Sequence, residues 1–173
     1  MAAQYTIYPV PHSQTAGTGT VNFTPTVNVV CEDGIDIYTR NRVQQILGDH
    51  GLTTRITDTP IEAEANIFLG VKGSNGVAVQ KAAALGLNTD VLSKANKFDR
   101  HILSLTDGGS GNAQLVIIGE NTDATFYGLA SLEQMLDQGT TGLLTVTIND
   151  YADLKERGII EGFYGKPYDN EVR

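Results

Sequence analysis

The sequence predicts an α/β (α+β) sandwich, a mixed β-sheet covered by helices. Three observations carry that prediction. Short β-branched and apolar runs, the right length for strands, recur along the chain. Segments with helical spacing and helix-capping residues separate them. The two kinds alternate roughly as β-β-α-β-β-α-β-β-α-β, with no internal repeat and no low-complexity linker.

Taken in order, "QYTIYPVPHSQ" reads as a short strand ended by Pro9 and Pro11. "TAGTGTVNF" is rich in Gly and Thr and reads as a loop entering a strand, and "TVNVVCED" is a β-branched strand. "DGIDIYTRNRVQQILGDHG" is a helix. Asp33 or Asp36 can cap it, Val43, Ile46 and Leu47 repeat at helical spacing, and Gly51 sits where a helix ends in the left-handed conformation. "TTRITD" and "NIFLGVK" are strands, the second apolar enough to be central. "GSNGVAVQKAAALG" and "NTDVLSKANKF" are weaker helical pieces. "RHILSLTD" and "AQLVIIGE" form strands around the turn "GGSGN". In "NTDATFYGLASLEQMLDQG", Asn121 or Thr122 can cap a helix whose stripe is Phe126, Leu129, Leu132 and Leu136, with Gly139 at its end. "GLLTVTIND" is the last strand, and the polar "NDYADLKERG" joins it to a tail.

The 173 residues suit one domain of ordinary size, with room for a short extension. A net charge of −8 argues against a nucleic-acid partner and against anionic membrane surfaces. The start lacks a charged leader and a long apolar core, so it is not read as a signal peptide. Cys31 is the single cysteine, which excludes an intrachain disulfide and a cysteine cage; in its apolar strand it reads as a buried structural thiol. His12, His50 and His101 lie far apart, outside any acidic metal-ligand pattern, and no metal or cofactor is expected.

Tested motifs fail on residues. Gly17-Thr-Gly19 would need a glycine at 22, where Asn22 stands, and Gly109-Ser-Gly111 one at 114, where Gln114 stands. Gly165-Lys166 lacks the upstream glycine of a phosphate-binding loop and is followed by Pro167. Ile118-Gly119-Glu120-Asn121 looks like an anion-binding turn, but Glu120 and Asp123 would repel an anion, so it reads as a capped helix. Glu32-Asp33 reads as a strand-to-helix turn and cap. No serine sits in a nucleophile elbow and no Asp-Asp pair is present.

The tail is the informative stretch. "RGIIEGFYG" puts an apolar pair ahead of two glycines that flank two aromatics. Two readings stand on the residues alone. One is the first strand of a sugar-cleaving (β/α)₈ barrel, whose site forms at the carboxyl ends of its strands. The other is a structural turn with its aromatics on the core.

"LKERGIIEGFYGKPY" resembles the entry to the catalytic barrel of family 84 glycoside hydrolases, the hyaluronidase-like and O-GlcNAcase-type β-N-acetylglucosaminidases of bacteria. "IYPVPHS", "LVIIGENTDATFYGLASLEQML" and "VTINDYADLKERG" are similar, in the same order, to the N-terminal domain of that family; residues 60–100 match loosely. The resemblance implies a hexosaminidase-like N-terminal domain over 1–152, then a linker and the start of a truncated barrel over 153–173. It implies that the domain packs on its own catalytic barrel, does no chemistry itself and is inactive alone. The parent would be a secreted or cell-surface bacterial enzyme acting on N-acetylglucosamine-containing glycans. Its two adjacent aspartates would work with the substrate's acetamide through an oxazoline. Gly162 would touch the sugar through its backbone, with Phe163 and Tyr164 shaping the pocket. The aspartate pair and nearly all of the barrel are absent from this sequence. Residues after about 165 are expected to be poorly ordered or to pair elsewhere. The alternatives are a stand-alone carbohydrate-binding or adhesin-like module, which would need a ridge of exposed aromatics, and a small α/β enzyme, which would need convergent titratable groups.

Overall fold

The structure, a computed structural model, describes residues 5–156 and 158. Seven strands form one mixed sheet: β1 (Ser13–Val21), β2 (Thr26–Cys31), β3 (Thr53–Thr57), β4 (Ala65–Val71), β5 (Phe98–Asp107), β6 (Ala113–Gly119) and β7 (Leu143–Ala152). The helices are α1 (Ile37–Asp49), α2 (Val77–Ala84) and α3 (Thr122–Leu136). The spatial order is β1-β7-β5-β6-β4-β2-β3. β6, β4, β2 and β3 run parallel, while β5 and β7 are antiparallel to their neighbours and β1 closes the edge antiparallel to β7.

The central strands are apolar because both sheet faces are covered. β6 is buried along its whole length, and β4 in all but Val71. On one face, α1 brings Val43, Ile46 and Leu47, and α3 brings Leu129, Leu132 and Met135, onto Ile67, Leu69, Leu115 and Ile117. On the other, Ala78 and Ala82 of α2 and Leu92 cover Phe68, Val116 and Ile118. The sheet also buries a polar pair: Asn28 donates to Asn66 at 2.9 Å, and Asn66 exchanges bonds with Ile61 of the loop before β4.

The element order matches the sequence reading, with four corrections. "QYTIYPVP" is not a strand. Its backbone is claimed by side chains at the end of α3 and just past it, Gln134 and Gln138. "TAGTGTVNF" is no loop, since most of it is β1; among the described residues this edge strand pairs with β7 alone, so it is recruited by backbone bonding rather than by an apolar pattern. "NTDVLSKANKF" contributes one four-residue 3₁₀ turn, Asp90–Ser93. Phe126 is 36% exposed and off the buried stripe, which runs through Leu129, Leu132 and Leu136.

Caps resolve as chemistry requires. Asp36, not Asp33, accepts from the Thr39 N–H at 2.8 Å, and that bond holds its carboxyl below the usual range. Asn121 accepts from Ala124 at 2.9 Å and caps α3. Helix α2 begins at Gly76, which has no capping side chain. Glu32, at the end of β2, caps it from a distance: Oε1 accepts from the Val79 N–H at 3.1 Å, and Oε2 from Val71 at 3.3 Å and from the Ser74 hydroxyl. The Glu32-Asp33 segment is thus a turn whose glutamate caps α2 rather than α1.

Candidate functional site

Four elements converge at one end of the sheet. They are the N-terminal segment from Tyr5 to His12, the start of β5, the outer face of α3 and the end of β7. Gln134 lies in the last turn of α3, and Gln138 lies four residues on, just past the helix end. Gln134 accepts from the Tyr8 N–H at 2.8 Å and donates to its carbonyl at 3.0 Å, and Gln138 does the same for Thr6 at 3.1 and 3.0 Å. Each amide imitates one rung of a β-ladder, so the segment is extended without being a strand. Tyr5 anchors the other side by donating to the Leu144 carbonyl at 2.8 Å; burial pushes its hydroxyl up to about 12.

These elements enclose a groove of about 670 Å³. Ile7, Tyr8, Val10, Tyr127, Ala130 and Leu154 give it an apolar lining, and His12, His101 and the acids Asp99, Asp150 and Asp153 add polar groups. His12 is fixed tightly. Its Nδ1 lies 2.9 Å from Asp150, its Nε2 lies 3.3 Å from Asp153, and its ring stacks on Tyr151 at 3.7 Å. Lys94 and Lys97 sit over the same Tyr151 ring at 4.6 and 5.3 Å.

His101 differs. It is 4% exposed, and Nδ1 lies 2.9 Å from the Asp99 carbonyl. A carbonyl only accepts, so Nδ1 carries the proton and Nε2 presents a lone pair. Burial lowers the basicity of the ring, which favours this neutral form. Nε2 is buried and has no hydrogen-bond partner among the described residues. Such atoms are rare in native proteins because an unmade buried bond costs free energy.

A second surface adjoins the groove. Tyr38, 75% exposed, and Phe126 and Tyr127, packed edge to face, line a hollow with Asp36 and Asp123. The exposed aromatic ridge that the composition did not suggest is present here in small form.

Other candidates are structural. Cys31 is half-buried, and burial pushes its thiol up, against the opposing charge of Arg40. Glu120, despite the cost of its burial, is held below the usual carboxylate range by Arg100, which also bonds it through Nε at 2.9 Å. That pair occupies the turn where an anion would otherwise bind. Among the described residues, no group of three or more His, Cys, Asp or Glu side chains is arranged to hold a metal ion. No described helix is long and apolar enough to cross a membrane. Gly162, Phe163 and Tyr164 lie outside the described residues, as does the predicted order or disorder of the tail. The groove itself escaped the sequence reading. His12 and Asp150 are 138 positions apart, and no spacing pattern links them.

The family model described as glycosyl hydrolase family 20, domain 2, matches residues 4–151. Among solved structures, CpGH84D is 32% identical, with a TM-score of 0.85 over 96% of this chain and 27% of that one. A family 20 exo-β-N-acetylglucosaminidase from Vibrio harveyi has a TM-score of 0.56 at 12% identity, over 87% of this chain and 20% of that one. A β-N-acetylhexosaminidase from Bacteroides fragilis has a TM-score of 0.51 at 13% identity, over 83% of this chain and 24% of that one. The last two share the fold at low identity. The chain spans about a quarter of the length of CpGH84D.

Proposed function

Because the chain belongs to the glycosyl hydrolase family 20, domain 2 family, we propose that it is the accessory N-terminal domain of a secreted β-N-acetylglucosaminidase. On this reading, residues 1–152 are the domain and 153–173 lead into the catalytic barrel. The domain supports that barrel and is inactive alone. The parent enzyme is retaining and substrate-assisted, its aspartate pair lying in the barrel, and Gly162, Phe163 and Tyr164 line its sugar pocket. One observation carries the reading: nearly all of this chain aligns with 27% of CpGH84D, a family 84 protein by its name. The groove is compatible with that: His12, Asp150 and Asp153 are held against one another in a structural cluster rather than converging on an empty centre.

The test is hydrolysis of a chromogenic aryl N-acetyl-β-glucosaminide by the 173-residue chain beside a chain extended through the barrel. The short chain is expected to be silent and the long one active. Turnover by the short chain would overturn the reading.

A second reading, a glycan-binding surface, is favoured by the exposed Tyr38, Phe126 and Tyr127, whose ring faces could stack on sugars. It requires the short chain to bind N-acetylglucosamine oligomers and to lose them on Tyr38→Ala.

A further inference from the structure

We propose that Asn75-Gly76, in the turn before α2, is a self-modifying site: Ser74, backed by Glu32, takes the Gly76 amide proton, and the chain converts Asn75 to aspartate and isoaspartate through a cyclic imide. The inference is independent of the accessory-domain reading. It concerns the start of α2, away from the groove beside α3.

An Asn-Gly pair is predisposed to this reaction, because glycine has no Cβ to hinder attack by its nitrogen on the preceding side chain. The pair occurs once in the sequence. The fold holds the glycine in place. Gly76 has an ordinary extended backbone, but a Cβ there would run into Glu32, so the packing at the start of α2 leaves room for glycine alone. Asn75 is exposed and lines a crevice of about 460 Å³ with Asp33, Asp58 and Ser74. Its side chain can turn there, and water can reach it.

Three contacts activate the attacking nitrogen. The Gly76 N–H donates to Ser74 Oγ at 3.3 Å. That hydroxyl donates in turn to Oε2 of Glu32, a carboxylate fixed by the Val71 and Val79 amides. Gln80 Nε2 donates to the Asn75 carbonyl at 2.7 Å. This carbonyl belongs to the same peptide unit as the Gly76 nitrogen, so the bond stabilises the negative charge the peptide takes on as its proton leaves. Carboxylate, hydroxyl and amide thus form a relay of the kind that activates a nucleophile.

The Gly76 nitrogen bonds to Asn75 Cγ as its proton moves to Ser74 Oγ and the hydroxyl proton moves to Glu32. The proton then returns along the relay to the side-chain nitrogen, which leaves as ammonia, and a five-membered imide remains. Water opens the imide at either carbonyl, giving aspartate or isoaspartate at position 75. Nothing is oxidised or reduced. The product adds one negative charge to a chain already at −8, beside the acids of the crevice.

The test follows the 173-residue chain in mildly alkaline buffer by peptide mass and ammonia release. The peptide carrying position 75 is expected to gain the mass of an NH-to-O exchange and to become a substrate for an isoaspartyl methyltransferase. Asn88 and Asn96, exposed but followed by Thr89 and Lys97, should stay unchanged over the same time. Conversion in the folded chain should run about tenfold or more faster than in guanidinium, where the relay is gone. Ser74→Ala and Gln80→Ala, each checked for folding by circular dichroism, should slow the folded rate and leave the denatured rate unchanged. Ser74→Thr, which keeps the hydroxyl, should restore it. If Ser74→Ala does not fold, Gln80→Ala, at an exposed position, decides in its place. A folded rate at or below the denatured one would overturn the proposal, as would a folded variant that converts as fast as the native chain.

Discussion

Glu32 and Gly76 share one space, and a double-mutant cycle can show it. The Glu32 side chain is almost fully buried and collects three donors, from Val71, Ser74 and Val79. It does so over Gly76, where an added Cβ would sit inside the van der Waals envelope of Glu32 Cγ, Cδ and Oε1. Gly76 itself has φ −76° and ψ 175°, an ordinary extended conformation that alanine adopts without strain. Glu32→Ala leaves two amides and a hydroxyl without their acceptor. At about 1–1.5 kcal/mol for each lost bond, with water admitted from the neighbouring crevice, the cost is about 3–4 kcal/mol. Gly76→Ala in the native background must push the carboxylate off its donors and should cost about 2–3 kcal/mol. With Ala already at 32 the obstacle is gone, and the same change should be neutral or stabilising by up to about 1 kcal/mol through the unfolded chain. The coupling is therefore about 2–4 kcal/mol, at or above the upper end for residues in contact. Urea unfolding of the four proteins measures it. Equal costs for Gly76→Ala in both backgrounds would refute the shared-space argument.

Three further perturbations follow from the same geometry. Gly128→Ala gains about 1 kcal/mol of helix propensity, but its Cβ would meet Ile117 Cγ2 at 2.6 Å, so a net loss of about 1–2 kcal/mol is expected, and a rise in stability would contradict the close packing of α3 on β6. His50 is desolvated, which lowers its pKa, yet bonds to the Ile46 carbonyl (2.7 Å) and the Asp137 carboxylate (3.0 Å) raise it above the ordinary value. Its contribution is then full below about pH 6.5 and fades as pH rises through the higher folded value, so His50→Gln should be more destabilising in acid than in alkali by urea titration at both ends. Gln134→Ala with Gln138→Ala removes four bonds to Thr6 and Tyr8, and limited proteolysis should then cut between Tyr5 and Pro9 while the sheet stays intact.

Much of the fold was legible because most elements obey one local rule. The β4 and β6 runs are apolar throughout and could only be covered strands, and Asp36 and Asn121 announce their helices by side-chain chemistry. Where the sequence reading failed, the deciding partner was remote. β1 is a strand because β7 lies beside it, and nothing within Ser13–Val21 says so. The Tyr5–Pro9 stretch looks like a strand by composition, yet the backbone bonds of Thr6 and Tyr8 go to glutamines about 130 positions away. The groove is the extreme case, since its walls come from residues 7–12 and 150–154 and from β5 and α3 between them. The family was legible for a different reason, in segments such as "FYGLASLEQML" that fall on α3, a helix packed on one side and facing the groove on the other.

On the proposed function, this domain stabilises a catalytic barrel. Thermal inactivation of the proposed parent's glucosaminidase activity, measured with and without residues 1–152, is the decisive experiment. The barrel alone should lose activity at a temperature several degrees lower, as removal of a docked domain worth a few kcal/mol requires. A barrel that is equally active and equally heat-resistant without the domain would contradict it.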